Sequence, residues 1–217
     1  MARFFQWLKS PIRKSNTHTL PIEETQTYTS QKERREQKVL DILTDDFADT
    51  SALRSLCWHG AKQSARGEIW KILLNYAPAE KNRREKSLSD KRQQYATYVT
   101  DIYERLDASS ELFIQIAKDV PRTRPEIPIF STPKVREMLK RVLCILAIRN
   151  PASGYVQGMN ELCAAFLTVF MDSDHAEADT YWCMSALMSS LHEFFTPGFP
   201  GVHRNMRMIK DLSLIHI

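Results

Sequence analysis

The sequence TPKVREMLKRVLCILAIRN, residues 132–150, decides the fold. Its apolar residues fall on nearly every side of a helix, a pattern typical of a helix that is buried at the centre of a domain. Thr132 is a suitable N-cap, and Pro133 fits the first helical position, where its missing N–H costs nothing. Pro151 lies just beyond the end of the segment. The sequence therefore predicts a central helix over residues 133–149.

The rest of the chain shows helical periodicity as well. Apolar residues recur three and four positions apart, and the breaks fall at prolines and glycines. Ser30 is the expected N-cap of the first helix, Pro78 ends the second, and Pro121 follows the fourth. The predicted helices cover residues 30–47, 69–74, 95–106, 112–116, 160–171, 177–195 and 202–213. Glycine is scarce, with 6 residues, and no stretch of note alternates with the period of a strand. We therefore predict an all-α fold.

Composition along the chain predicts three regions. Residues 1–29 are expected to form a flexible, disordered tail with basic and aromatic side chains. Residues 30–51 are expected to form an isolated helix and a linker, and residues 52–217 the compact domain. Three interpretations of the tail stay open: a plain disordered terminus, a weak membrane or partner contact through residues 1–14, and a targeting peptide.

The overall composition excludes several classes of function. With 30 basic and 26 acidic residues and a net charge of +4, the chain is too balanced for a dedicated nucleic-acid binder. No apolar run approaches the roughly 18 residues that cross a bilayer. The 4 cysteines are far apart, which favours buried free thiols in a reducing compartment over disulfides or a zinc site. Phosphate-loop, dinucleotide, zinc-protease and serine-hydrolase motifs are absent from the sequence.

Two loops carry the candidate functional residues. The first reads Ile116-x-x-Asp119-x-x-Arg122-Thr123 and leads from a helix into a proline-rich stretch. The second reads Tyr155-x-Gln157-Gly158-Met159-Asn160 and follows the central helix. Taken singly, Arg122 is most simply a surface cation, Gln157 part of a turn, and Asn160 a helix N-cap.

The distance between the loops makes their combination informative. The helix over 133–149 is about 24 Å long, and the loops start at its opposite ends. Three prolines in residues 122–133 predict an extended chain, and ten extended residues reach about 33 Å at most. Such a stretch can run back along the helix and bring Arg122 beside Gln157. An arginine and a glutamine on one exposed face suit phosphoryl transfer on a nucleotide bound to a partner, because the arginine neutralises charge and the glutamine orients water.

Three motifs, in order, resemble those of the TBC-domain family of Rab GTPase-activating proteins. They are Arg66-Gly67-x-x-Trp70 and the two loops just described. The similarity covers roughly residues 52–212 and is greatest to the branch that contains TBC domain family member 22. It implies an all-helical domain that accelerates GTP hydrolysis on Rab GTPases.

The resemblance also implies a role for each motif residue. Arg122 matches an arginine finger, and Gln157 matches a glutamine finger that replaces the GTPase's own glutamine. Supporting positions fall on Arg66, Trp70, Asp119, Thr123, Tyr155, Gly158 and Asn160. We expect Trp70 to be a core anchor, and Arg66 to pair with Asp119 unless the two are unrelated surface charges. Side-chain hydrogen bonds from Thr123, Tyr155 and Asn160 are expected to hold the loops.

The implied partner is a Rab small GTPase in its GTP state, with no nucleic acid and with membrane contact that is indirect or made through residues 1–14. No cofactor of its own is expected, because GTP and Mg²⁺ are bound to the GTPase. The protein is then an activator of another enzyme rather than a self-contained enzyme. The implied setting is intracellular, vesicle-mediated protein transport in the cytoplasm, with peripheral association with Golgi or endosomal membranes left open.

The end of the chain leads to a further expectation. The family's domain resembles two packed helical halves, and residues 213–217 lie near the end of the first. The expected fold is thus the N-terminal helical half of a TBC domain, incomplete at its C-terminus. An alternative function is a non-activating helical Rab-binding or adaptor module, because the second half contributes to docking. An unrelated helical scaffold is the third hypothesis.

Overall fold

The computed structural model describes residues 22–195, 198 and 200–214. Within this range the regular secondary structure is helical, and one isolated antiparallel bridge joins Phe47 to Glu80. The all-α prediction is confirmed. The chain divides into two compact units, the first ending at Asp90 and the second beginning at Lys91.

The first unit contains three helices and the start of a fourth. They are α1 (Ile22–Thr44), α2 (Thr50–Leu56), α3 (Gln63–Leu73) and α4 (Lys81–Tyr98), with a 3₁₀ turn at Cys57–His59. Helix α1 contacts α2 and α3. Asp49 caps α2, because its carboxylate accepts from the backbone N–H groups of Ser51 and Ala52. Leu53 and Ile69 are fully buried in this unit.

The charged start of α4 closes the C-terminal end of α1. Arg84 donates to the backbone carbonyl oxygens of Leu43, Pro78 and Ala79, and Lys81 Nζ donates to that of Thr44. The last carbonyl groups of a helix have no partner within the helix, so the bonds to Leu43 and Thr44 satisfy the end of α1.

The second unit is built around the predicted central helix. Its elements are a π-helical turn at Val99–Tyr103, α5 (Glu111–Asp119), α6 (Pro133–Arg149), α7 (Met159–Phe170), α8 (Ala176–Ser190), α9 (His192–Phe195) and α10 (Pro200–Leu214). Helix α6 contacts α5, α7 and α8. Its buried residues are Val135, Leu139, Val142, Leu143, Cys144, Ile145, Leu146 and Ala147. Thr132 caps it as predicted, accepting from the N–H of Val135 at 3.4 Å.

Ion pairs join α8 to its neighbours within the second unit. Arg92 Nε and Nη2 donate to the two carboxylate oxygens of Asp179 at 2.8 and 2.9 Å. The Asp179 side chain is 0% exposed, whereas that of Arg92 is 21% exposed. Arg141 donates twice to Glu177, at 2.6 Å each, and the Tyr95 hydroxyl donates to Glu177 at 2.7 Å. Burial, together with the charge of Glu177, raises the pKa of Tyr95.

Several helix boundaries differ from the predictions, and the predicted helix over 95–106 starts near the end of α4, which begins at Lys81. Helix α1 begins at Ile22, so Ser30 lies inside the helix and is not its N-cap. Glu23 and Glu24 lie in the first turn, where acidic residues favour a helix N-terminus, although the segment has no apolar stripe that would signal a helix. Residues 22–29 are therefore helical rather than part of a disordered tail, and residues 1–21 lie outside the described range. The predicted helix over 177–195 is divided at Leu191 into α8 and α9.

The prediction that residues 122–132 are extended is wrong. The stretch begins at the end of a 3₁₀ turn, Val120–Arg122, and contains a second, Pro128–Ser131. Between them the N–H of Ile127 donates to the carbonyl of Arg124 at 3.0 Å. The fixed φ of proline suits the first residues of a 3₁₀ turn as well as an extended chain, and Pro121 and Pro128 occupy such positions.

All four cysteines are buried, as predicted, and form no disulfide: Cys57, Cys144, Cys163 and Cys183. Burial raises the pKa of Cys57 to about 11 and that of Cys144 to about 12, and it also raises the pKa of Cys163. A separate observation is that no helix of the described part of the chain is both long and apolar enough to cross a membrane.

We expect the folded protein to resist alkylation by iodoacetamide at pH 8. The thiolate is the reactive form, and a thiol with a pKa near 11 is deprotonated at pH 8 in only about one molecule in a thousand. Intact-mass measurement should show no adduct in buffer and four adducts in guanidinium chloride. Rapid labelling of the folded protein would contradict the burial of these side chains.

Candidate functional site

Arg122 projects from the 3₁₀ turn that follows α5. Its side chain is 66% exposed, and its Nη2 donates to one carboxylate oxygen of Asp119, three residues earlier. The Asp119 side chain is only 5% exposed. A buried carboxylate thus holds one edge of an exposed guanidinium, which leaves the other N–H groups of the arginine facing solvent.

The second oxygen of Asp119 binds the other loop. The hydroxyl of Tyr155 donates to it at 2.7 Å. Burial raises the pKa of Tyr155, and the hydrogen bond and negative charge of Asp119 raise it further. Tyr155 therefore stays protonated and is a permanent donor. One carboxylate connects the arginine to the loop that carries Gln157.

Thr123 and Asn160 form a second, fully buried connection. The hydroxyl of Thr123 donates to the backbone carbonyl of Asp119 at 2.9 Å, and Asn160 Nδ2 donates to the Thr123 hydroxyl oxygen at 2.8 Å. Thr123 is 1% exposed and Asn160 7%. Buried polar groups are costly to leave unpaired, so these bonds fix how the two loops meet. They include the side-chain bonds that were expected of Thr123 and Asn160.

The predicted N-cap role of Asn160 is wrong. Gly158 occupies the N-cap position of α7, with φ of 97°, and Asn160 is the second residue of the helix. A positive φ of this size favours glycine, because a Cβ would clash with the backbone. The amide of Asn160 is used instead for the bond to Thr123.

Gln157 lies at the exposed edge of the second loop and faces the same cleft as Arg122. The cleft has a volume of about 220 Å³, and its lining is Asp119, Arg122, Gln157, Gly158, Asn160 and Glu161. The structure therefore brings the two candidate fingers together, although the connecting stretch is not extended. What remains a prediction is the role of each side chain.

An exposed ion pair at the cleft was not foreseen from the sequence. Arg124 Nε lies 3.1 Å from a carboxylate oxygen of Glu161, and its Nη1 lies 3.4 Å from Glu126. The backbone of Arg124 is left-handed, with φ of 46°. No local pattern in the sequence links Arg124 to Glu161, because Arg124 lies in the loop after α5 and Glu161 in the first turn of α7.

Arg66 and Trp70 belong to the first unit, on α3. Trp70 is 5% exposed, as a core anchor should be. Arg66 Nη2 donates to the backbone carbonyl of Ala61 at 3.1 Å. The expected ion pair between Arg66 and Asp119 stays a prediction. Within the described residues, no group of histidine, cysteine and carboxylate side chains is arranged to hold a metal ion.

Comparison with known proteins gives consistent matches. The sequence model of the Rab-GTPase-TBC domain matches residues 63–216. TBC1 domain family member 22B of Homo sapiens is 32% identical over 85% of this chain and 41% of its own length. The GTPase-activating protein gyp1 of Schizosaccharomyces pombe is 34% identical over 83% of this chain and 40% of its own length. The chain thus spans about two fifths of these relatives.

A solved structure agrees with the sequence matches. The crystal structure of the Ypt/Rab-GAP domain of Gyp1p superimposes with a TM-score of 0.71 and 31% identity, over 85% of this chain and 64% of that chain. The resemblance that the three motifs indicated is therefore confirmed, including its proximity to member 22. The chain belongs to the Rab-GTPase-TBC domain family.

Proposed function

We propose that the protein is a GTPase-activating protein for Rab family small GTPases and that it supplies Arg122 and Gln157 in trans. One observation carries the proposal: both side chains are exposed and line one cleft. A relative of this chain bears the name GTPase-activating protein, and a similar solved domain is described as a Ypt/Rab-GAP domain.

The role of Arg122 follows from charge. Negative charge on the transferring phosphoryl group is spread over its outer oxygens, and a guanidinium stabilises it. An arginine has five N–H donors, of which the bond to Asp119 uses one. The remaining donors are available to bind phosphate oxygens, while the carboxylate keeps the guanidinium oriented.

Gln157 would orient the attacking water. A carboxamide offers both a donor and an acceptor, so it can bind the water and the partner at the same time. Its loop is held by the bonds of Tyr155 and Asn160, and catalysis by positioning requires such a preformed geometry. GTP and Mg²⁺ come with the GTPase, so the protein acts as an activator, at the cytoplasmic surface of Golgi or endosomal membranes in vesicle transport.

The substitution Gln157→Ala is expected to lower the stimulated rate of hydrolysis about 10²-fold, because water is no longer held in line. Phosphate release from a panel of GTP-loaded Rab proteins, in single turnovers at saturating activator, measures the effect. The exposed Gln94 on α4 offers the matched control, Gln94→Ala, which should not change the rate.

A Rab protein whose own switch glutamine is replaced by alanine sharpens this test. It should still respond to the unaltered activator and not to the Gln157→Ala variant, because the activator provides the glutamine. Binding of GTP-loaded Rab without any stimulation would instead favour the adaptor function. Stimulation that is independent of Gln157 would contradict the assignment of this residue.

A further inference from the structure

The two loops are joined at consecutive residues. Thr123 binds Asn160, and the residues that follow them, Arg124 and Glu161, form an ion pair. The first connection is buried, whereas the side chains of the second are 45% and 48% exposed. A buried hydrogen bond and an exposed ion pair thus connect the Arg122 loop to the start of α7 at neighbouring positions.

The backbone around Arg124 fixes where its side chain starts. On one side Thr123 is anchored by two buried hydrogen bonds, and on the other the N–H of Ile127 closes a turn on the carbonyl of Arg124. A left-handed backbone is unfavourable for a residue with a Cβ, and it persists where the surrounding bonds impose it. The Arg124 side chain is therefore presented from a constrained position.

Glu161 lies on the other side of the junction, in the first turn of α7, and lines the cleft together with Arg122 and Gln157. Its carboxylate is favourably placed at a helix N-terminus even without Arg124. Arg124 in turn keeps a second partner, Glu126, in its own loop. Neutralising one member of the pair thus leaves neither side chain as a buried, unpaired charge, and the fold should tolerate the change.

We propose that Arg124 and Glu161 are a positioning pair that sets the separation of the Arg122 loop from the Gln157 loop at the mouth of the cleft. The inference rests on the proposed function. Neither side chain is assigned a contact with the nucleotide; the pair acts by restricting the movement of the loop that bears Arg122. Misplacement of a catalytic group by about 1 Å is enough to lower a rate strongly, so even a weak exposed pair can matter here.

The experiment is a double-mutant cycle with Arg124→Gln, Glu161→Gln and the two together. Each single change is expected to lower kcat for stimulated hydrolysis about fivefold, with KM for the GTP-loaded Rab unchanged. The double variant should also lose about fivefold, because either change alone already breaks the pair. Arg105→Gln is the matched control, since Arg105 forms an exposed pair with Asp101 at 3.4 Å.

Three kinetic results would overturn the inference: no loss in the single variants, losses that multiply to about 25-fold in the double variant, and an effect confined to KM. Multiplying losses or a change in KM would mean that each side chain contacts the partner independently. Amide hydrogen exchange at Ile127 gives a readout without the GTPase. It should become faster in both single variants, and unchanged exchange would contradict the pair's role even if the proposed activation itself failed.

Discussion

Replacing Arg122 with alanine is expected to lower the stimulated rate of GTP hydrolysis by about 10³- to 10⁵-fold, or roughly 4–7 kcal/mol of barrier. The loss is large because the low-dielectric space between activator and GTPase leaves no water to replace the guanidinium. Single-turnover phosphate release at saturating activator measures it. The loss should appear in the rate constant of hydrolysis, with binding of the GTP-loaded Rab largely retained.

Two further variants show whether the geometry or only the charge matters. Arg122→Lys keeps a cation but loses the planar set of donors, so most of the activity should still be lost. Arg105→Ala removes an arginine from an exposed pair elsewhere and should have no effect. Removing Arg122 also takes one donor from the buried carboxylate of Asp119, so the melting temperature of the alanine variant should fall, and circular dichroism checks that it is folded at the assay temperature. Full stimulation by Arg122→Ala would refute the arginine finger.

The second large effect concerns stability. Arg92→Met should destabilise the protein by about 3–5 kcal/mol, because it removes the guanidinium that faces the fully buried carboxylate of Asp179. For a chain of this size the loss corresponds to a melting temperature lower by about 10 °C. Methionine retains most of the side-chain length, so the change tests the charge more than the packing. Urea denaturation followed by circular dichroism gives the free energy of unfolding.

Matched variants separate this effect from a general cost of losing an arginine. Arg105→Met, in an exposed pair, should cost less than about 1 kcal/mol. Adding Asp179→Asn to Arg92→Met should recover part of the loss, since no buried charge is then left facing a methionine. Equal stabilities of the Arg92 and Arg105 variants would show that the Asp179 pair contributes little.

The sequence predicted those parts of the fold that local chemistry decides. The N-cap Thr132, the proline after it and the all-round apolar pattern gave α6 its correct bounds. The scarcity of glycine and the absence of strand periodicity indicated an all-α protein, which the structure confirms. The two loop motifs, which taken singly are most simply a surface cation and a turn, became informative only in combination and through the family resemblance.

Tertiary contacts decided what the sequence did not show. Asn160 has the chemistry of an N-cap, yet Gly158 takes that position and the Asn160 amide binds Thr123, 37 positions away. The prolines of residues 122–133 suggested an extended connection. In the structure, Pro121 and Pro128 instead lie in the first two positions of 3₁₀ turns. The pair of Arg124 with Glu161 depends on the meeting of two loops, which no local pattern encodes.

If the protein activates a GTPase as proposed, the shared carboxylate of Asp119 limits how its partner selectivity can change. It accepts from Arg122 with one oxygen and from Tyr155, on the glutamine loop, with the other. Under the proposed function, a substitution that moves Arg122 to suit a new GTPase also disturbs the loop that carries Gln157. Selectivity between related GTPases is then expected to change through surface residues outside this shared unit.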